Sequence, residues 1–272
     1  MNKNRLKLRN VIAIAICLAA VTILSGCEKE KPKNDPPPTL QYEPGVMVGG
    51  KKWATRNLAK NYTFVENPED YGALYQWGRY ADGHEQRNSP NYPTNNNVLE
   101  DGAINMGSGE LQVPNKHPAY GKFIKQGGKP YDWRTPQRND FWCERMEISG
   151  APIKAIYDPC PEGWRLPTDT ELKSLFQNSQ KNWGKQNGVS GYFFYDNASS
   201  PKLFLPAAGF RWNNGNILVE GSIGNYWSSS CDIESLVNGY WISYFLCFQD
   251  NNLAIGKAQR TEGISVRCIA DE

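Results

Sequence analysis

Histidine is nearly missing from this chain of 272 residues. Only two occur, His84 and His117, and nowhere is there Cys-x-x-Cys or His-x-x-x-His spacing. An all-protein zinc site therefore lacks ligands, and neither a metal nor any other cofactor is expected. A Ser/His/Asp triad needs an imidazole held in a formed pocket. Both histidines instead fall in a polar stretch, where a lone histidine is usually solvated. No Gly-rich phosphate loop occurs. Strong charge of one sign is missing too: 30 Lys+Arg against 28 Asp+Glu leave a net +2. Without a basic surplus no nucleic acid is expected as a partner. Nor is there an apolar run long enough to span a membrane. Residues 11–24 have the length of a signal-peptide h-region.

What is present begins with targeting. Lys3, Arg5, Lys7 and Arg9 precede the apolar run, which ends in Leu24-Ser25-Gly26-Cys27. This resembles the lipobox of bacterial lipoproteins. Small residues fit beside the cut, and only a thiol can take the thioether-linked glyceride. Residues 1–26 are read as a lipoprotein signal peptide and Cys27 as the lipidated first residue of the mature chain. Two or three acyl chains, at ~0.8 kcal/mol per buried CH₂, anchor a protein that one chain would hold only marginally. The implied partner is a membrane, and the implied location is the outer membrane, facing either the periplasm or the exterior. Cleavage leaves 246 residues, and losing four basic side chains takes the net charge from +2 to about −2.

Residues 27–44 are charged and Pro-rich, with Pro36-Pro37-Pro38 at their centre, and read as an extended tether. Glu28 and Glu30 resemble the surface-export signal of some Gram-negative lipoproteins. From Val46 the pattern turns globular, and the length allows one large domain or two small ones. Strands are predicted at Val46-Met47-Val48, residues 73–77, Leu203-Phe204-Leu205, residues 240–245 and residues 264–268, all rich in aromatic or β-branched side chains. Residues 82–140, crowded with Asn, Pro, Gly and charge, read as a long irregular excursion on the domain surface. One helix start is clear. Thr168 and Glu171 form a capping box, and Leu172, Leu175 and Phe176 follow as one apolar stripe.

Once Cys17 leaves with the signal and Cys27 is acylated, Cys143, Cys160, Cys231, Cys247 and Cys268 remain. Outside the cytoplasm five cysteines allow at most two disulfides, so one thiol stays free or pairs between molecules.

Four stretches carry a resemblance to a known family: DPCPEGWRLPT at 158–168, YGALYQWGR at 71–79, LPAAGFRWNNGNILVEGSIGNYWSSS at 205–230 and GISVRCI at 263–269. In this order they resemble the Fibrobacter succinogenes major paralogous domain of exported proteins in Bacteroidetes and relatives. The resemblance spans roughly residues 45 to 270. It implies that residues 45–272 form a single α+β domain with a C-type-lectin-like fold, with paired terminal strands, short antiparallel strands, one or two helices and long irregular loops. The RLPT–helix segment is also similar to that of formylglycine-generating sulfatase-modifying enzymes. It further implies a disulfide between Cys160, just before the helix, and Cys268, in the last strand. Cys143 with Cys231 or Cys247 is a candidate second bridge.

Calcium-binding lectins carry Glu-Pro-Asn or Gln-Pro-Asp triplets and a downstream Trp-Asn-Asp. Here Glu66-Asn67-Pro68 has the proline displaced, and Trp212-Asn213-Asn214 lacks the charged oxygen that Ca²⁺ prefers, so no calcium site is expected. In the lectin-like fold recognition falls in the long loops, which map onto residues 206–225. Arg211, Trp212, Asn213, Asn214 and Asn225 there join a flat apolar face to amide donors and acceptors, suited to a sugar ring or a protein hot spot. Trp227, Trp241 and Tyr244 are read as core. The expected function is non-catalytic binding or adhesion towards a glycan or surface protein. The alternatives are a structural or tip component of a surface polymer and, third, an enzyme acting on envelope polysaccharide.

Overall fold

The computed structural model describes residues 42–60, 62–93, 103–107, 109–142, 145–146, 152–236 and 238–271. The signal peptide, Cys27, most of the tether and Cys143 lie outside the described residues. Those described build mostly small antiparallel sheets with two helices, Asp169–Gln177 and Ile233–Leu236.

The two ends of the domain meet in one sheet. Val46–Val48 pairs with Lys51–Trp53, Trp53 stands opposite Ile269 in the last strand, Ile269–Ala270, and Trp164–Arg165 pairs with that strand's other edge. Cys160 and Cys268 are joined there, with Cα atoms 5.9 Å apart. The helix behind this bridge starts as its sequence predicts. Thr168 Oγ1 accepts from the Glu171 amide at 3.0 Å, and the Glu171 carboxylate accepts from the Thr168 amide at 2.9 Å. Arg165 grips the same carboxylate with two hydrogen bonds of 2.8 and 2.7 Å. Leu172 and Leu175 are buried and Phe176 packs partly against the same cluster.

Five of the nine tryptophans, Trp53, Trp77, Trp133, Trp142 and Trp227, are essentially without solvent exposure. Such a load is tolerable only if each indole N–H finds an acceptor. All five do: the carbonyls of Val48, Ser228, Trp77, Tyr157 and Tyr75 accept at 2.7–3.2 Å.

Several expectations need correction. The described residues of 82–140 are irregular, with strands of two residues, but they are not a surface excursion. Ile104, Met106, Val113, Ala119, Ile124 and Trp133 enter the main core, and His84 is buried rather than solvated. Residues 264–268 are not one strand; only Gly263–Ile264 pairs regularly, and residues 265–268 run fully buried to the final strand. The segment 240–245 is displaced, its strand running Ile242–Gln249, and Trp241 and Tyr244 are half-buried while Trp227 alone of that trio is core. The long hairpin Gln180–Gln186 with Val189–Tyr195 turns on Asn187-Gly188, both at positive φ, which is the turn chemistry of a two-residue hairpin. Of the candidate partners for Cys143, Cys247 is a free thiol.

Candidate functional site

An open groove of about 440 Å³ lies between the 206–225 segment and the sheet Gly224–Cys231, Ile242–Gln249 and Asn252–Gln259. Strand register decides what faces it. Asn225 stands opposite Cys247 and Trp227 opposite Phe245, so these four side chains share one face, while Tyr226, Leu246 and Phe248 turn to the other and pack in the helix-side core. Asn225, Phe245 and Cys247 thus line the groove floor, and Phe210, Trp212 and Ile223 form its apolar rim. Gly256 leaves room for the floor: a Cβ there would sit 2.9 Å from the Phe245 ring.

The rim is a short hairpin in which Phe210–Arg211 pairs with Ile217–Leu218. Its turn runs through Gly215, at φ +89°, where a Cβ would lie 2.2 Å from Asn91 Oδ1. Asn214 spends its side-chain oxygen within the turn, accepting from the Asn216 amide at 3.0 Å.

Arg211 is buried and anchors the hairpin. Its guanidinium donates to Ser89 Oγ (2.6 Å), the Ser89 carbonyl (2.7 Å), Asn91 Oδ1 (2.8 Å) and the Gly215 carbonyl (2.9 Å), and lies over the Phe123 ring. Asn213, also buried, donates to Gln259 Oε1 at 3.1 Å. Of the five residues predicted for recognition, Trp212 and Asn225 line the groove together. Arg211, Asn213 and Asn214 hold the hairpin in place.

Trp212 is 37% exposed and meets Phe210 edge-on, at 5.8 Å and 73°. Asn225 is buried, and its Oδ1 has no hydrogen-bond partner among the described residues. Glu262, buried in the groove wall, accepts from the Gln259 amide at 3.3 Å, and burial pushes its carboxyl up to about 7. Lys257 holds Asp232 at 3.0 Å. Sequence reading missed Phe210, Phe245, Cys247, Gln259 and Glu262. The one available signal was that residues 245–248 are apolar on both strand faces, which leaves one face without an assigned cover.

The raised Glu262 value carries a sign. A carboxyl whose folded value lies above its unfolded one stabilises the fold most below the unfolded value, and that contribution is lost as pH rises from about 4.5 towards 7. Relative to wild type, Glu262→Gln should therefore gain stability between pH 5 and pH 8, by up to roughly 3 kcal/mol. Urea midpoints of the two proteins at both pH values check this; a constant difference would mean that the carboxyl is solvated.

A second polar cluster invites a metal reading, since Asp82, His84 and Glu85 offer ligand atoms within 4.8 Å of one another. The hydrogen bonds oppose it. His84 Nε2 accepts from the Gln76 amide at 3.1 Å, so the ring proton sits on Nδ1 and faces Asp82 at 2.8 Å. A protonated Nδ1 cannot bind a metal. Burial and the neighbouring Arg79 hold the imidazole down to about 4, neutral at ordinary pH. Asp82 also receives Arg79 at 2.7 Å, completing a polar network inside the core.

No family model, curated protein or solved structure matches this chain.

Proposed function

We propose that this chain is an outer-membrane lipoprotein anchored through Cys27, whose domain belongs with the Fibrobacter succinogenes major paralogous domains, is C-type-lectin-like, and binds a glycan or protein outside the cytoplasm without turnover. The paired terminal strands and the Cys160–Cys268 bridge support the lectin-like reading. The groove carries the functional one: a partly exposed tryptophan lines it together with a buried amide whose oxygen no described residue satisfies. A few converging polar groups in an apolar cleft are the general form of a ligand site.

Trp212→Ala should weaken binding at least tenfold, seen in a glycan array or a pull-down with the mature chain, and leave the thermal unfolding midpoint within about 2 °C because the side chain is partly exposed. Unchanged binding by the variant would defeat the assignment of the groove. Hydrolysis of envelope polysaccharide by the purified chain would overturn the non-catalytic reading.

A further inference from the structure

We infer that this chain forms a symmetric dimer in which the strand Asn252–Gln259 of each copy lies antiparallel beside the same strand of the other, joining two three-stranded sheets into one. The inference goes beyond ligand binding and does not rest on it.

That strand is the outer member of its sheet, after Gly224–Cys231 and Ile242–Gln249. It pairs with Ile242–Gln249 across a two-residue turn, Asp250-Asn251, so Gln249 and Asn252 close the hairpin as a hydrogen-bonded pair. Asn252, Ala254, Gly256 and Ala258 then spend their backbone groups inside the sheet. Leu253, Ile255, Lys257 and Gln259 turn theirs outward. Gln259 has its edge partner: its amide donates to Glu262 Oε1 at 3.3 Å, and its carbonyl accepts from the Glu262 amide at 3.0 Å. Nothing among the described residues does the same for Leu253, Ile255 or Lys257. A row of open donors and acceptors is a template for another strand.

Little on this edge deters one. It holds no proline, and its register runs without a bulge from Asn252 to Gln259. Its single charge, Lys257, is drawn to Asp232 and lies over the Tyr244 ring of its own sheet. Leu253 and Ile255 are only half-buried against the helix-side core, so a neighbouring strand would cover more of them.

Register favours a second copy as that neighbour. Antiparallel pairing about Ile255 sets Ile255 opposite itself, Ala254 opposite Gly256, and Leu253 opposite Lys257, whose aliphatic stem lies along the leucine. No like charges meet. The other long free edge, Gln180–Gln186, fails the same test. Its outward residues are Lys181, Trp183 and Lys185, and pairing about Trp183 would oppose lysines twice. Like charges directly opposite are destabilising. One edge is guarded against its own copy and the other is not. Directly opposed residues share a face, so Ala254 and Gly256 stay on the side of Phe245 and Cys247 in both copies. The two grooves would therefore open on one side of a sheet of six strands, three from each copy.

Cysteine crosslinking reads this register. In a hydrogen-bonded antiparallel pair the Cα atoms lie ~5.5 Å apart, within disulfide reach. The full chain carrying Ile255→Cys, oxidised with copper phenanthroline in expressing cells, should yield at least ten times more disulfide-linked homodimer than the unsubstituted chain. Leu253→Cys should stay at the unsubstituted level, because residue 253 lies four positions, ~13 Å, from its counterpart. Sedimentation equilibrium of the purified chain should show a dimer. Ile255→Lys, which sets like charges on the symmetry axis, should raise its dissociation constant at least tenfold. Should that variant fail to fold, Leu253→Lys, which opposes Lys257 of the second copy, should do the same. Equal crosslinking at 253 and 255, or a monomer at every concentration, would overturn the inference. So would crosslinking of residue 255 to a protein of another mass, which would make the edge a site for a foreign strand. Loss of ligand binding in Trp212→Ala with the dimer intact would leave the inference standing, so the two readings fail separately.

Discussion

The double variant Cys160→Ala/Cys268→Ala should lose about 4.7 kcal/mol of unfolding free energy, and reduction of the native protein should reproduce most of that loss. The bridge closes a loop of 108 residues, and in the chain-entropy account a link that long removes much of the freedom of the unfolded chain. Its position adds to the effect. Both cysteines are buried in the main aromatic core, and the Cys268 carbonyl accepts from the Ala54 amide at 2.9 Å where the second and last strands meet. Loosening this corner frees the capped helix and both termini of the domain together. Urea titrations with and without reductant measure the loss. Matching midpoints would show that aromatic packing alone sets the stability.

Arg267→Met should be nearly as damaging, by roughly 3–5 kcal/mol. The guanidinium is 1% exposed, and no carboxylate among the described residues bonds to it. It donates to Asn57 Oδ1 through Nε (3.0 Å) and Nη2 (2.7 Å), and through Nη1 to the carbonyls of Ala54 (3.1 Å) and Phe204 (3.0 Å). Burial lowers it to about 10, so it stays charged at neutral pH. One side chain thus ties the segment after the second strand, the strand Leu203–Pro206 and the final segment. Methionine fills similar volume but leaves three buried acceptors without donors. Arg267→Lys should recover little, because an ammonium cannot reproduce the planar fork. Thermal melts of both variants would decide; a methionine variant as stable as wild type would mean that water replaces the lost donors.

The features legible in the sequence are those whose signal is confined to a few neighbouring residues. Thr168 and Glu171 cap each other three residues apart, and Leu172 and Leu175 follow on one face, so that helix needed no tertiary information. Val46–Val48 and Leu203–Leu205 are legible from composition for the same reason, the second strand extending one residue further, to Pro206. The Cys160–Cys268 link, 108 residues long, was reached only through resemblance, and the structure contains it. The hairpin turning on Asn187-Gly188 carried a local signal that went unread.

Other outcomes depended on distant partners. His84 looked like a solvated loop residue, yet Asp82 and the Gln76 amide make its burial affordable. Residues 264–268 read as a strand from their β-branched content, but beyond Ile264 the segment leaves regular pairing and runs buried, because Asn57, Phe204 and the strand Gly224–Cys231 bond to it from different sides. Arg211 looked like a recognition residue until Ser89 and Asn91, more than a hundred positions away, were found to occupy it.

The sequence alone determined the helix and its cap and several of the strands. Each follows from neighbours along the chain or from a short local pattern. Tertiary structure alone decided which polar residues are consumed as scaffold and which of them line a groove, here Asn225 and Glu262 beneath Trp212. The physical reason is that a hydrogen-bonding group is free or spent according to partners brought close by folding, and those partners leave no mark at the position itself.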